Sequence, residues 1–93
     1  MKINFEPIST NIRHVVPFLN GYLILEDYYK FEGKSNLYFI EDDKIIWFTE
    51  LPKEDDVYTE FRLDQEFIIA FTWSCFMVKL NSSGKIISSE FGK

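Results

Sequence analysis

The chain has one cysteine, one histidine, four glycines and three prolines in 93 residues, and each scarcity closes a class. Cys75 alone can form no intrachain disulfide and no cysteine-based zinc site. A secreted domain this short would normally carry several bridges. The glycines at 21, 33, 84 and 92 build no phosphate-cradling loop. No segment approaches the roughly 18 consecutive apolar residues that span a bilayer. Met1-Lys2-Ile3-Asn4-Phe5-Glu6-Pro7 lacks the basic stretch and long apolar run of a signal peptide. Bases are also short: 10 Lys and Arg face 15 Asp and Glu, a net charge of −5. That is the wrong sign for a nucleic-acid binder, which needs a cationic face to displace phosphate counterions. These absences predict a soluble cytoplasmic protein with no cofactor, no nucleic-acid partner and no membrane partner. The length allows one small domain, without room for separate cofactor and substrate domains.

What is present is apolar and aromatic. The chain is 46% hydrophobic and 18% aromatic, far from disordered composition. Ten Phe, five Tyr and eleven Ile favour strands. Turn signals every eight to twelve residues suit an all-β chain. Eight antiparallel strands are predicted, over Asn11–Phe18, Tyr22–Tyr29, Asn36–Glu41, Lys44–Glu50, Val57–Leu63, Phe67–Thr72, Phe76–Asn81 and Lys85–Phe91. Ile3-Asn4-Phe5 is a candidate ninth. Asn20-Gly21 is a hairpin signal, because both residues tolerate positive φ. Asp42-Asp43, Asp64-Gln65 and Ser82-Ser83-Gly84 supply further reversals. Pro52-Lys53-Glu54-Asp55-Asp56, with no period, is expected to connect two halves.

Those halves look alike. Leu37-Tyr38-Phe39-Ile40, a turn and Lys44-Ile45-Ile46 return as Met77-Val78-Lys79-Leu80, a turn and Lys85-Ile86-Ile87, offset by 40 and then 41 residues. Upstream, Gly21-Tyr22-Leu23-Ile24-Leu25 aligns with Glu66-Phe67-Ile68-Ile69-Ala70 at an offset of 45. The repeats are then 11–50 and 57–91, each a four-stranded meander. Phe67 to Thr72 followed by Phe76 to Ile87 resembles one blade of the PQQ/WD40-like propeller repeats, with Asn81 ending a strand before a Ser-Gly-Lys turn. Asn36 through Trp47 follows the pattern with Asp42-Asp43 where glycine is expected. Two blades cannot close a ring. The expected arrangements are a small two-sheet sandwich, one curled sheet, or several chains sharing a propeller.

Catalytic constellations are poor, and no enzyme activity is expected. No serine or cysteine has the context of a nucleophile, and His14 reads as a surface or half-buried strand residue. Cys75 reads as a small buried hydrophobe. Asp42-Asp43 and Glu54-Asp55-Asp56 lack the spacing of a calcium loop. Most of the seventeen aromatics are expected in the core. Tyr28, Tyr29, Phe31, Trp47 and Trp73 lie beside charges or turns and are candidates for exposure. The charge map is lopsided: residues 26–66 hold thirteen acids against five bases, a balance of −8, and the remainder balances at +3. A concentrated acidic surface steers association with a basic partner.

A small, acidic, all-β chain of this kind is similar to the immunity proteins of bacterial polymorphic-toxin and contact-dependent growth inhibition systems. That resemblance implies a protein that neutralises a cognate toxin domain, a nuclease being the class whose cationic cleft an acidic face complements. The candidate partner-binding residues are Asp42, Asp43, Glu54, Asp55 and Asp56, with Trp47 and Trp73 as apolar anchors. The alternative resemblance is to fucose-binding lectins with two blades per chain, which trimerise into a six-bladed propeller. Two Trp and two Arg in the whole chain depart from the sugar pockets of that family. A homodimer formed by sheet continuation is a third expectation.

Overall fold

The computed structural model describes residues 5–8, 11–27 and 34–92. Eight strands form in chain order: β1 Ile12–Phe18, β2 Gly21–Glu26, β3 Leu37–Glu41, β4 Lys44–Phe48, β5 Tyr58–Asp64, β6 Phe67–Thr72, β7 Phe76–Leu80 and β8 Ile86–Phe91. The first sheet is ordered β1-β2-β3-β4 and the second β5-β6-β7-β8. Every strand pairs antiparallel with its chain neighbour. The fold is all-β, without a helix among the described residues. The second strand is shorter than expected, and its expected end at Tyr28–Tyr29 lies outside the described residues, as do Phe31 and all of the candidate ninth strand except Phe5.

The two sheets pack face to face. Their common core joins Phe18, Leu23, Leu25, Leu37 and Phe39 of the first sheet to Tyr58, Phe61, Ile68, Ala70, Val78 and Leu80 of the second. A separate cluster, Ile24, Tyr38 and Ile40, fills the other face of the first sheet under Phe5. Strand alternation explains both, because successive side chains of β2 and β3 point to opposite faces.

The pairing registers repeat. Val15↔Ile24 in the first sheet matches Phe61↔Ala70 in the second, and Phe18↔Gly21 matches Asp64↔Phe67, an offset of 46 residues. This corrects the offset of 45 expected for β2. Tyr38 and Val78 occupy the same place at an offset of 40, and Phe48 and Ser89 at 41. Bulges repeat too, at Arg13 and Thr59, and at Ile46 and Ile87.

The turns follow backbone geometry more than residue preference. Leu19 carries positive φ (52°) in the first hairpin, and Gln65 (59°) does so at the equivalent position. Gly21 serves a different need: a Cβ there would lie 1.9 Å from the Ile40 carbonyl oxygen. Asp42 and Asp43 both have positive φ, 54° and 61°, which is the geometry of a type I′ hairpin turn. Gly84 has φ +79°, and its missing Cβ leaves room for the Trp47 ring.

Three side-chain clasps join the sheets. Asn36 Oδ1 accepts the Tyr58 N–H at 2.8 Å, and its Nδ2 donates to the Tyr58 and Glu26 carbonyls at 2.8 and 2.9 Å. The Tyr58 hydroxyl donates to the Glu50 carbonyl. Glu50 in turn holds the β7–β8 turn: its N–H donates to the Gly84 carbonyl, and its Oε1 accepts the Ile86 N–H at 2.8 Å.

Candidate functional site

The up-and-down topology puts alternate connections at opposite ends. The turns at Leu19-Asn20 and Asp42-Asp43 share one end of the first sheet, and those at Gln65-Glu66 and Asn81–Lys85 share one end of the second, the last of them meeting Glu50 beyond β4. The β2–β3 and β6–β7 connections lie at the other, loop ends of their sheets, joined by the β4–β5 connection, with the end of β8 beside the β6–β7 turn. The candidate residues therefore divide. Asp42 and Asp43 are exposed at the hairpin end, where their positive φ gives them a backbone role. Glu54, Asp55, Asp56 and Trp73 come together at the loop end.

Trp47 sits between these groups and is half-buried. Its ring stacks on Phe39 with centroids 5.2 Å apart and packs under Gly84. It packs at the sheet interface as a partly buried side chain, so Trp73 is the more exposed of the two candidate anchors. Trp73 is 67% exposed.

The loop end is built around Asp56. The run Glu54-Asp55-Asp56 looks uniform in sequence, yet Glu54 and Asp55 are exposed and Asp56 is only 4% exposed. The reason is a clamp. Asp56 Oδ1 accepts the N–H of Val57 at 3.0 Å and of Ser74 at 3.2 Å, and Trp73 N–H donates to the Val57 carbonyl at 2.9 Å. The β6–β7 turn, which carries Trp73, is thus pinned to the start of β5. Asp56 Oδ2 is buried without a hydrogen-bond partner among the described residues, a penalty of about 1–3 kcal/mol that the clamp must offset.

Cys75 is exposed at φ 74° in that same turn, which corrects its expected burial. A turn needing a positive φ has recruited it, with its N–H bonded to the Thr72 carbonyl at 3.1 Å. Phe91, 75% exposed, meets Phe76 edge-on at 5.4 Å beside this turn. His14 is exposed on β1, its ring tilted against Phe61 at 5.5 Å.

Two buried tyrosines and a buried glutamate escape sequence reasoning. Glu26, closing the apolar run Leu23-Ile24-Leu25, is fully buried. It accepts the Tyr38 hydroxyl and, at 2.7 Å, the Ile8 N–H. Burial raises the Tyr38 hydroxyl far above its usual range, reinforced by the hydrogen bond and charge of Glu26. Burial likewise raises Tyr58, with the Asp56 and Glu50 charges adding to it. The one signal in the sequence is the charge at the end of an otherwise apolar strand.

A shallow groove of about 640 Å³ runs beside the connection, lined by Lys34, Phe48, Glu50, Pro52, Lys53 and Glu54 among others. Among the described residues no group of three or more His, Cys, Asp or Glu side chains is arranged to hold a metal ion. Among the same residues no helix is long and apolar enough to cross a membrane. The site therefore offers an exposed aromatic on a turn pinned to an acidic connection, a surface suited to binding. Comparison with known proteins finds no family model, curated protein or solved structure that matches the chain.

Proposed function

We propose that the chain binds and neutralises a basic protein toxin, in the manner of bacterial immunity proteins, and that it does so with its loop end. The observation that carries this is Trp73: 67% exposed, on a turn whose backbone is pinned by Asp56 to the connection that exposes Glu54 and Asp55. Large exposed aromatics fixed in position are the residues that most often dominate protein interfaces. Acidic neighbours accelerate encounter with a cationic surface. A nuclease is the toxin class that fits, because its substrate is a polyanion and its cleft must be cationic.

The test begins with capture of a partner from native lysate by the tagged chain. Expression of that partner alone should arrest growth, and co-expression of the wild-type chain should relieve the arrest. Trp73→Ala should weaken binding by about 30-fold or more. Glu54→Lys with Asp55→Lys should slow association and flatten its salt dependence. A captured partner that is harmless, or whose binding ignores both variants, overturns the proposal.

A further inference from the structure

Each sheet has two edge strands, and the four edges are guarded unequally. β1 carries Arg13 and Pro17, β4 opens on Lys44, and β5 alternates Glu60, Arg62 and Asp64. Charges and proline blunt an edge against pairing with another chain. β4 and β8 each have one charge and no proline, but β4 lies within the acidic window and β8, Ile-Ile-Ser-Ser-Glu-Phe, does not. From Ile87 onward it is exposed, with Ile87 at 50% and Phe91 at 75%.

Its backbone is open as well. Gly92 N–H donates to the Cys75 carbonyl at 2.9 Å, one residue past the Phe91↔Phe76 pair. Antiparallel alternation then turns the N–H and C=O of Phe91, and of Ser89 two residues earlier, away from β7. At the start of the strand, the Ile86 N–H is already occupied by Glu50.

We propose that β8 pairs antiparallel with β8 of a second copy of this chain, about a two-fold axis at Ser89. The two second sheets would join into one continuous sheet. Self-complementarity carries the inference. A two-fold axis perpendicular to the sheet requires paired residues of like parity, and an axis at Ser89 sets Ser89 against itself. Ser88 then faces Glu90, and Ile87 faces Phe91. The outward N–H and C=O of Ser89 meet their own counterparts. The two exposed apolar side chains cover each other twice, and Glu90 meets a serine hydroxyl where a like charge would repel.

The charge map favours this edge over β4 and β5, and Pro17 with Arg13 blunts β1. β8 lies outside the acidic window: residues 67–92 hold Lys79 and Lys85 against Glu90. Pairing through β5 would instead bring two acidic windows together. The pairing does not rest on the loop-end reading, and Trp73 takes no part in it.

Sedimentation equilibrium of the full chain from micromolar to millimolar concentration should show a monomer–dimer equilibrium. Ser89→Pro removes an N–H that points to the open side, so the β7–β8 ladder survives. Its circular dichroism and melting midpoint should match wild type at low concentration, while the dissociation constant rises about tenfold or more. In a Cys75→Ser background, mild oxidation of Ser89→Cys should give a covalent dimer. Opposed residues at such a pair lie about 5.5 Å apart, within disulfide reach. Thr59→Cys on β5 should give none.

A monomer at every concentration overturns the proposal. So does a dimer that survives Ser89→Pro and fails to cross-link, which would belong to another surface. A monomer whose β8 amides gain protection only with the toxin bound would assign the edge to a partner strand and also overturn it. Trp73→Ala should leave the dimer intact, so the two proposals fail separately. If Ser89→Pro does not fold, the cross-link decides.

Discussion

The first sheet buries both of its faces, and the second buries one. Register makes the comparison residue by residue. The first sheet presents Val16, Phe18, Leu23, Leu25, Leu37, Phe39 and Trp47 toward the second. The equivalent positions on the second sheet, facing away, are Arg62, Asp64, Ile69, Phe71, Met77, Lys79 and Ser88. Four of the seven have become polar. Two of these cations lie over aromatics on the same face, Arg62 above Phe71 at 5.7 Å and Lys79 above Phe67 at 4.4 Å. Long cationic side chains cover apolar surface while keeping their charge in water. The second sheet therefore ends the stack as a terminal repeat does, with a polar outer face. At the other end, the segment around Phe5 covers the face of the first sheet that has no sheet against it. The lesson bears on the lectin-like alternative: head-to-tail closure of several chains would bury Arg62, Asp64 and Lys79 without partners.

The comparison can be broken at one shared position. Gly21 and Phe67 are equivalent, yet a Cβ at Gly21 would meet backbone at 1.9 Å while the Phe67 ring is half-buried under Lys79. Gly21→Ala should cost about 3 kcal/mol or more, and Phe67→Ala about 1 kcal/mol. Urea titration of both variants measures the gap; equal losses would show that the sheets tolerate change alike.

The clasp between the sheets comes next in size. Asn36 has Phe76 as its equivalent, so this bond set exists once. Asn36→Ala leaves the buried Tyr58 N–H unpaired and strips two carbonyls, for an expected loss of about 2–3 kcal/mol. Thermal unfolding should show the whole domain melting earlier. Loss of the second sheet alone would indicate that the sheets fold independently.

Alkali probes the two tyrosines at non-equivalent places, Tyr38 on the outer face of the first sheet and Tyr58 at the start of the second. Both are raised above the ordinary 10.0 in the folded chain. Their contribution is complete below pH 10, where both states are protonated. Above it the unfolded chain releases protons that the folded chain keeps, so stability falls by about 1.4 kcal/mol per pH unit for each tyrosine. Melting midpoints between pH 9 and 11 should drop, and Tyr38→Phe should halve the slope. A flat profile to pH 11 would contradict the burial of both hydroxyls.

The smallest effect belongs to the turns. Asp43→Gly relieves a positive φ in an exposed hairpin and should add about 0.5–1 kcal/mol; Leu19→Asn should do the same in the first. Denaturation midpoints that fall in both would overturn the strain argument.

Strands were legible in this sequence because alternation and turn spacing report directly on the pleat. The connection at Pro52–Asp56 was equally plain, since it lacks both signals. The site was not. Glu54, Asp55 and Asp56 are identical in kind, and only the position of Ser74 N–H, eighteen residues on, makes Asp56 the inward clamp. Trp47 and Trp73 each stand beside a turn, but Trp47 fits the space left by Gly84 across the interface. Asp42-Asp43 read as an acidic patch, although a type I′ turn accounts for both residues. Such facts depend on contacts between the two halves, which no local pattern encodes.

The meander topology has a kinetic corollary. Because each strand pairs only with its neighbour in the chain, both sheets can be assembled through short loop closures, each with a small entropic barrier. The contacts between halves, Asn36 with Tyr58 and Glu50 with Gly84, form across the Pro52–Asp56 connection. Docking of the two meanders is then the step expected to limit folding. Mutations within a hairpin turn should then slow the folding arm of a chevron plot with little change in unfolding, and mutations in the clasps, which close as the halves dock, should also speed unfolding.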